Sequence, residues 1–298
     1  MIEIRRILCP TDFSDCSRGA LDHAIGIARW YGSVVTALHV FSRPLPSAGY
    51  GAATALDHEQ LLAEVKAFIA AEGAPGIIIG LVVREGNTAT EILDEATAMD
   101  ADLLVIGTHG RSGFERLLLG SVAEKVLHKA SCPILTVAPR LADAAPSAPV
   151  LYKRILCPLD FSDPSSHALE YAMSLAQKTD GRLSVLHVVS HEFENTGDIA
   201  SNVQGGMTVG EFLREREETL YRRLQSAESV ATAVCSVESI LTYGKPWREI
   251  LRVAEERQSD VIVMGIHGRD AADQRFFGST AQHVVREASR PVLSVPRR

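Results

Sequence analysis

The chain is poor in the residues and motifs that announce covalent catalysis, metal sites or nucleic-acid binding. Its five cysteines, Cys9, Cys16, Cys132, Cys157 and Cys235, form no CxxC and no metal-ligand spacing, and their number is odd. They read as buried or free thiols of a reducing compartment, not as a disulfide framework or a zinc site. Basic charge is scarce: 30 Lys and Arg stand against 37 Asp and Glu, a formal net charge of −7. A general nucleic-acid binder needs a basic face to replace counterions, so that class is set aside, although a local basic pocket is not. Apolar runs are too short to cross a bilayer, and the opening MIEIRRILCP holds no long apolar region or cleavage site. The expectation is a cytoplasmic protein without a membrane partner.

Enzyme signatures are also missing. There is no Walker GxxxxGK[ST], no kinase signature set and no GxSxG nucleophile motif, and CPTDFSD stands where a dehydrogenase GxGxxG would follow the first strand. With 46% apolar and 22% charged residues over 298 positions, the composition is that of a globular protein long enough for two domains.

What is present is a glycine loop, GTHGRSGFERLLLGS, from Gly107 to Ser121. The apolar, β-branched run Asp102–Ile106 precedes it and reads as a buried parallel strand; the run from Val122 to Ala130 reads as a helix. Gly107 and Gly110 stand three apart, and after nine intervening residues comes Gly120-Ser121. Glycines admit close backbone approach, and a helix start offers N–H donors and a partial positive charge, so the device suits a phosphate. It returns as GIHGRDAADQRFFGST, with Gly265, Gly268, Gly278, Ser279 and Thr280 at the same spacing.

The repetition extends along the chain. Residues 5–40 align without a gap to 153–188, and the second copy carries ten extra residues before its third strand, around 189–209. Between the copies, LADAAPSAPV has the composition of a linker. Copy one reads as strand Ile4–Cys9, helix Asp15–Tyr31, strand Val34–Phe41, helix from about Ala55 to Ala71, strand Ile77–Val83, helix Asn87–Met99 and strand Asp102–Ile106. The glycine loop, its helix and a last strand Ile134–Val137 complete it. Alternating strands and helices predict a mainly parallel sheet covered on both faces. Ligands of such sheets sit beyond the carboxyl ends of the strands where strand order reverses. Asp12 and Asp160, each trailing a first strand, are then expected to face the glycine loop across a crevice. The last strands, Ile134–Val137 and Val292–Val295, are apolar and are expected to cover each other's edges.

These residues resemble the universal stress protein family, as a tandem covering nearly the whole chain: ILCPTDFSD and ILCPLDFSDP, LHV on the second strand, and G-x-x-G-x9-G-[ST], all twice. The resemblance implies two α/β, Rossmann-like (adenine nucleotide alpha hydrolase-like) domains, 1–140 and 152–298, with a linker at 141–151. Each is implied to be a five-stranded parallel sheet flanked by helices, paired through its last strand as an intramolecular pseudo-dimer, with homodimerisation as a further assembly. It further implies ATP as ligand and a role in stress response; Mg2+ can accompany the triphosphate without a dedicated protein cage. Carried over, Gly107, Gly110, Gly120 and Ser121 surround ribose and phosphates, with Arg111 and Val122 beside them. Asp12 and Thr11 lie at the adenosine end, and Pro10, Val40 and Ile106 form the adenine slot. In copy two the positions are Pro158, Asp160, Val188, Met264, Gly265, Gly268, Arg269, Gly278, Ser279 and Thr280. Another branch of the family does not retain ATP and usually lacks the loop.

Asp12 and Asp160 have no partner carboxylate in their motifs and read as binding or strand-capping groups in preference to catalytic acids. His109 and His267 read as loop-stabilising, and His39 and His187 as satisfied structural histidines. Cys9 and Cys157 read as core residues without a visible general base. Three functions stay open: a nucleotide-responsive stress or signalling module with an unknown protein partner, a slow ATPase, or an interaction scaffold with one or both sites empty. Asp270 and Asp273 in the second loop should weaken its field for triphosphate, which ranks the first site higher.

Overall fold

A computed structural model of the chain describes residues 2–42, 58–70, 76–109, 119–139, 150–190, 209–266 and 277–297. Within them the first half runs β1 (Arg6–Thr11), α1 (Asp15–Tyr31), β2 (Val34–Phe41), α2 (His58–Ala70), β3 (Ile79–Glu85), α3 (Thr88–Ala98), β4 (Leu103–Gly107), α4 (Ser121–Lys129) and β5 (Ile134–Val137). The second half repeats it as β6 (Arg154–Pro158), α5 (Asp163–Thr179), β7 (Arg182–Val189), α6 (Val209–Thr232), β8 (Ser236–Tyr243), α7 (Pro246–Glu256), β9 (Val261–Gly265), α8 (Ser279–Glu287) and β10 (Val292–Val295). The expected start of the second helix near Ala55 lies outside the described residues.

Local chemistry sets the elements. Helix α1 starts where Ser14 accepts a hydrogen bond from the Ser17 amide, and it stops at Gly32, whose φ of 72° is the left-handed conformation a helix terminator adopts. Ala20, Leu21, Ala24, Ile25 and Ala28 put its apolar face on the sheet. The central strands are buried, apolar runs, as a sheet covered on both faces requires.

The strands form one ten-stranded sheet in the order β3-β2-β1-β4-β5-β10-β9-β6-β7-β8. Each half contributes the five strands expected of it and the last strands meet as expected, but the two sets merge into a single mixed sheet and not two five-stranded sheets. Each half is parallel within itself, but β5 and β10 pair antiparallel through Thr136–Val292, Leu135–Leu293 and Ile134–Ser294, so the two sheets are continuous. The physical reason is that each last strand otherwise presents an unpaired apolar edge. One core cluster packs α1, α2, α5 and α6 against one face of the sheet, drawing residues from both halves. A second packs α3, α4, α7 and α8 against the other.

Contacts across the centre are polar as well as apolar. Tyr152, fully buried, meets Nδ1 of His23 through its hydroxyl at 2.5 Å, and Tyr31 meets Ser174 at 2.9 Å. Burial holds the Tyr152 phenol well above its ordinary pKa, with the Asp260 charge adding to the shift. Among the described residues no helix is long and apolar enough to cross a membrane.

Candidate functional site

Each half has a crevice where strand order reverses. Strand β1 pairs with β2 as far as Thr11–His39, yet with β4 only through Ile7–Leu103 and Leu8–Leu104. Beyond Leu8 and Leu104, the carboxyl ends of β1 and β4 therefore diverge. In the second half β6 follows β7 to Pro158–Leu186, but β9 only through Leu156–Ile262. These are the topological switch points at which open α/β sheets accept ligands.

The sheet's alternation sorts the residues around the first crevice. Leu8, Leu38, Leu104 and Ile106 belong to the cluster under α3 and α4, and Val40 packs against it. Pro10, two residues beyond Leu8 on the same strand, faces the same side, so Pro10, Val40 and Ile106 share one face at the strand ends. Pro158, Val188 and Met264 repeat this, with Met264 buried and Val188 half-buried at the core's edge. Strand β1 runs two residues later than expected and includes Pro10 and Thr11. Thr11 lies on the opposite side: its Oγ1 is 3.2 Å from Ser17 Oγ and accepts the Phe13 amide at 3.1 Å.

Asp12 is held by the turn that follows. Its Oδ1 accepts from the Ser14 amide at 3.1 Å and the Ser14 hydroxyl at 2.5 Å, while Asp160 accepts from Ser162 at 3.0 and 2.5 Å. Phe13 and Phe161, between acid and serine, have φ of 65° and 62°. That left-handed backbone is rare for a bulky side chain. Sequence reasoning missed both the serine donors that hold the aspartate and the phenylalanine conformation; the only signal was that DFSD is the same in both copies. His39 and His187 direct Nδ1 to the Thr11 and Leu159 carbonyls at 2.8 and 2.6 Å.

On the other wall, Gly107 and Gly265 are half-buried strand ends. A Cβ on Gly107 would lie 2.8 Å from Cys16 Sγ and 3.1 Å from the Cys16 carbonyl carbon. On Gly265 it would lie 2.7 Å from the Pro164 carbonyl carbon and 2.9 Å from the Ser165 nitrogen. The chain's own helices α1 and α5 thus occupy the space that glycine leaves, a packing reason for glycine that is independent of any ligand. Burial pushes the Cys16 thiol up, and its Sγ donates to the Val137 carbonyl at 3.4 Å.

The loop is closed at its base in both halves. The Gly120 amide donates to the Thr108 carbonyl, and Gly278 to Ile266, each at 2.7 Å. Gly120 and Gly278 are the residues preceding the first turns of α4 and α8, and neither helix has a side-chain cap. Helices α1, α3 and α5 are capped by Ser14, Asn87 and Ser162. At φ −60° Gly120 is in ordinary backbone space, so glycine is needed there for room: a Cβ would lie 3.0 Å from the Thr108 carbonyl oxygen. Ser121 and Ser279 are exposed, Thr280 is half-buried, and Val122 packs at the core's edge. His109 places Nδ1 2.9 Å from Thr108 Oγ1, and its Nε2 is buried with no hydrogen-bond partner among the described residues. Gly110, Arg111, Gly268, Arg269 and His267, with Asp270 and Asp273, lie outside the described residues. Among the described residues no group of three His, Cys, Asp or Glu is placed to hold a metal. Cys9 and Cys157 are fully buried and their thiols are pushed up to about 12 by burial, so they are neutral core residues.

The fold and its two switch-point crevices define an α/β protein of tandem repeats. The family profile described as "Universal stress protein family" matches residues 3–138 and 151–296. A universal stress protein of Methanocaldococcus jannaschii is 38% identical over 138 residues, covering 45% of this chain and 81% of the relative. A second from the same organism is 28% identical over 158 residues, covering 50% of this chain and 98% of the relative. The crystal structure of a universal stress protein from Archaeoglobus fulgidus covers 99% of this chain and 97% of its own at 27% identity, with a TM-score of 0.66. The chain belongs to the universal stress protein family, with the family's unit present twice in tandem.

Proposed function

We propose that the chain is an ATP-binding universal stress protein that holds nucleotide in its crevices and acts as a nucleotide-responsive stress or signalling module. The carrying observation is that each half has a pinned aspartate at the end of its first strand and, after its fourth strand, a helix that begins at glycine without a side-chain cap. A carboxylate accepts hydrogen bonds from ribose or adenine and repels phosphate. An uncapped helix start donates N–H groups to phosphate and carries the right sign of dipole. The two walls therefore suit the two ends of one nucleotide, and the chain's own residues fit the group.

In this reading 1–140 and 152–298 are the domains and 141–151 the linker. Pro10, Val40 and Ile106 flank adenine, Asp12 receives the ribose or base, and Gly107, Gly110, Arg111, Gly120, Ser121 and Val122 surround the phosphates. Bound ATP supplies charge and shape that separate a loaded from an empty state. Mg2+ accompanying the phosphates would need no dedicated protein cage. Fast hydrolysis needs an oriented water and charge stabilisation around the γ-phosphate beyond what positions it, so the proposed module holds ATP without rapid turnover.

The test is the nucleotide released from freshly purified, heat-denatured protein. Stoichiometric adenine nucleotide supports the proposal; none from protein prepared with ample ATP favours an empty scaffold. Turnover on the second timescale, abolished by changing a loop glycine, would make the protein an enzyme.

A further inference from the structure

The turn that presents the aspartate is short and strained, and something must hold it. Between the last residue of β1 and Ser14, the residue that caps α1, there are only Asp12 and Phe13; between Leu159 and Ser162 there are only Asp160 and Phe161. Phe13 and Phe161 have φ of 65° and 62°, a left-handed backbone that a bulky L-residue adopts only at a cost. Such a conformation persists only where its surroundings over-determine it. Serine fixes the far side of the turn by accepting the Ser17 or Ser165 amide while donating to the aspartate.

The near side is fixed from the neighbouring strand. Nδ1 of His39, a buried residue of β2, lies 2.8 Å from the Thr11 carbonyl, and Nδ1 of His187 lies 2.6 Å from that of Leu159. A carbonyl only accepts, so Nδ1 carries the proton and donates in both halves. The same imidazoles lie against the strained phenylalanines, with ring centroids 4.5 Å apart for Phe13–His39 and 4.7 Å for Phe161–His187. Each histidine thus touches both the residue before the aspartate and the residue after it. The bonded residue is threonine in one half and leucine in the other, so the requirement concerns the backbone carbonyl.

We infer that His39 and His187 are positioning residues that clamp the Thr11–Ser14 and Leu159–Ser162 turns, and so aim Asp12 and Asp160 into the two crevices for the polar edge of a nucleoside. The inference about the nucleoside rests on the nucleotide-binding reading; the clamp itself does not. Leucine in place of histidine keeps the apolar volume but leaves a buried carbonyl without its donor. Asparagine is the discriminating replacement, because its amide nitrogen stands where Nδ1 stands, whereas that of glutamine is one carbon further out.

The experiment compares full-length H39L/H187L, H39N/H187N and H39Q/H187Q with the unaltered protein. Without nucleotide, the Phe13, Ser14, Phe161 and Ser162 amides are expected to exchange hydrogen at least about tenfold faster in the leucine and glutamine variants and near the original rate in the asparagine variant. Unchanged exchange in the leucine variant overturns the clamp, as does equal behaviour of asparagine and leucine. Titration with ATP should show about tenfold weaker binding in the leucine variant and recovery with asparagine. A loosened turn with unaltered ATP affinity overturns the aiming role. If the unaltered protein binds no ATP, the nucleotide reading falls and the exchange rates still decide the clamp.

Discussion

The loop-entry glycines offer a direct way to separate packing from ligand binding. At Gly265 the three atoms nearest an added methyl carbon are all backbone: Pro164 C at 2.7 Å, Pro164 O at 2.9 Å and Ser165 N at 2.9 Å. They belong to the first turn of α5, which Ser162 caps, so the methyl is accommodated only by moving the helix. At Gly107 the nearest atom is Cys16 Sγ at 2.8 Å, with Cys16 C and O behind it at 3.1 and 3.2 Å. A thiol can turn away; helix backbone cannot. Forcing a methyl into a packed site costs about 1–3 kcal/mol. Gly265→Ala should fall near the top of that range and Gly107→Ala near the bottom. Removing the thiol should relieve part of the clash at 107, so Gly107→Ala and Cys16→Ala should be less than additive, with a coupling of about 1 kcal/mol.

Urea unfolding of nucleotide-free protein, followed by circular dichroism, measures all three terms. If glycine were needed only for phosphate to approach, both alanine variants would keep the original midpoint and lose ATP affinity alone. That outcome would refute the packing argument. A Gly107→Ala variant less stable than Gly265→Ala would refute the distinction between a yielding thiol and an unyielding backbone.

Three further outcomes are expected. Gly120→Val should abolish ATP binding at the first site, because even a Cβ would meet the Thr108 carbonyl oxygen at 3.0 Å; Gly278→Val should change total affinity less, and calorimetry in which Gly278→Val removes the tighter event would reverse the ranking of the sites. Tyr152→Phe deletes a 2.5 Å bond to His23 across the two halves and should cost about 1–2 kcal/mol, whereas an unaltered urea midpoint would mean that the bond contributes nothing. Burial raises Cys9 and Cys157 from 9.0 to about 12, so their contribution is full below pH 9.0 and is lost as pH rises toward about 12; a Cys9→Ala/Cys157→Ala variant should have a flatter alkaline stability profile, and an identical slope would refute the assignment.

The parts of the fold that rest on local pattern were legible in the sequence. Hydrophobic periodicity and the gapless repeat placed the strands and helices of copy one within a few residues, and they put the switch points at the carboxyl ends of the first strands, where pairing with β4 and β9 stops early. What stayed illegible depends on contacts between distant residues. Nothing around Gly107 says that Cys16 will pack on it, so a glycine required by the protein's own helix reads as one kept for a ligand. Phe13 is an aromatic in a conformation that local propensity disfavours, held by His39 from another strand. The pairing of β5 with β10 was legible too, because each last strand is an apolar edge that needs cover; its antiparallel sense and its register, Leu135 on Leu293, were not.

That pairing also bears on how the two crevices can communicate. Because β5 and β10 run antiparallel, the carboxyl ends of the strands in one half point opposite to those in the other, and the crevices open at opposite ends of the sheet. Helix α4 runs from the first crevice to a contact with the second half. It begins beside Gly120 at the first crevice and ends near His128, whose ring meets Phe277 edge-on with centroids 5.6 Å apart. Phe277 immediately precedes Gly278, the residue that starts α8 at the second crevice. Alongside, Glu124 of α4 and Arg286 of α8 pair at 2.7 Å, but both are partly exposed and salt screens them. The apolar contact is therefore the stronger mechanical link. A nucleotide that draws the start of α4 toward its phosphates would shift His128 relative to Phe277 and change the geometry at Gly278, and by reciprocity the second site would act on the first. The expected coupling is at the low end of the usual range, about 1 kcal/mol or several-fold in affinity. ATP titrations of the unaltered protein should then fit two interacting sites, and Phe277→Ala should make them independent, whereas Glu124→Gln should leave the coupling in place. Independent sites in the unaltered protein, or coupling that survives Phe277→Ala and disappears in Glu124→Gln, would show that α4 does not transmit the signal in this way.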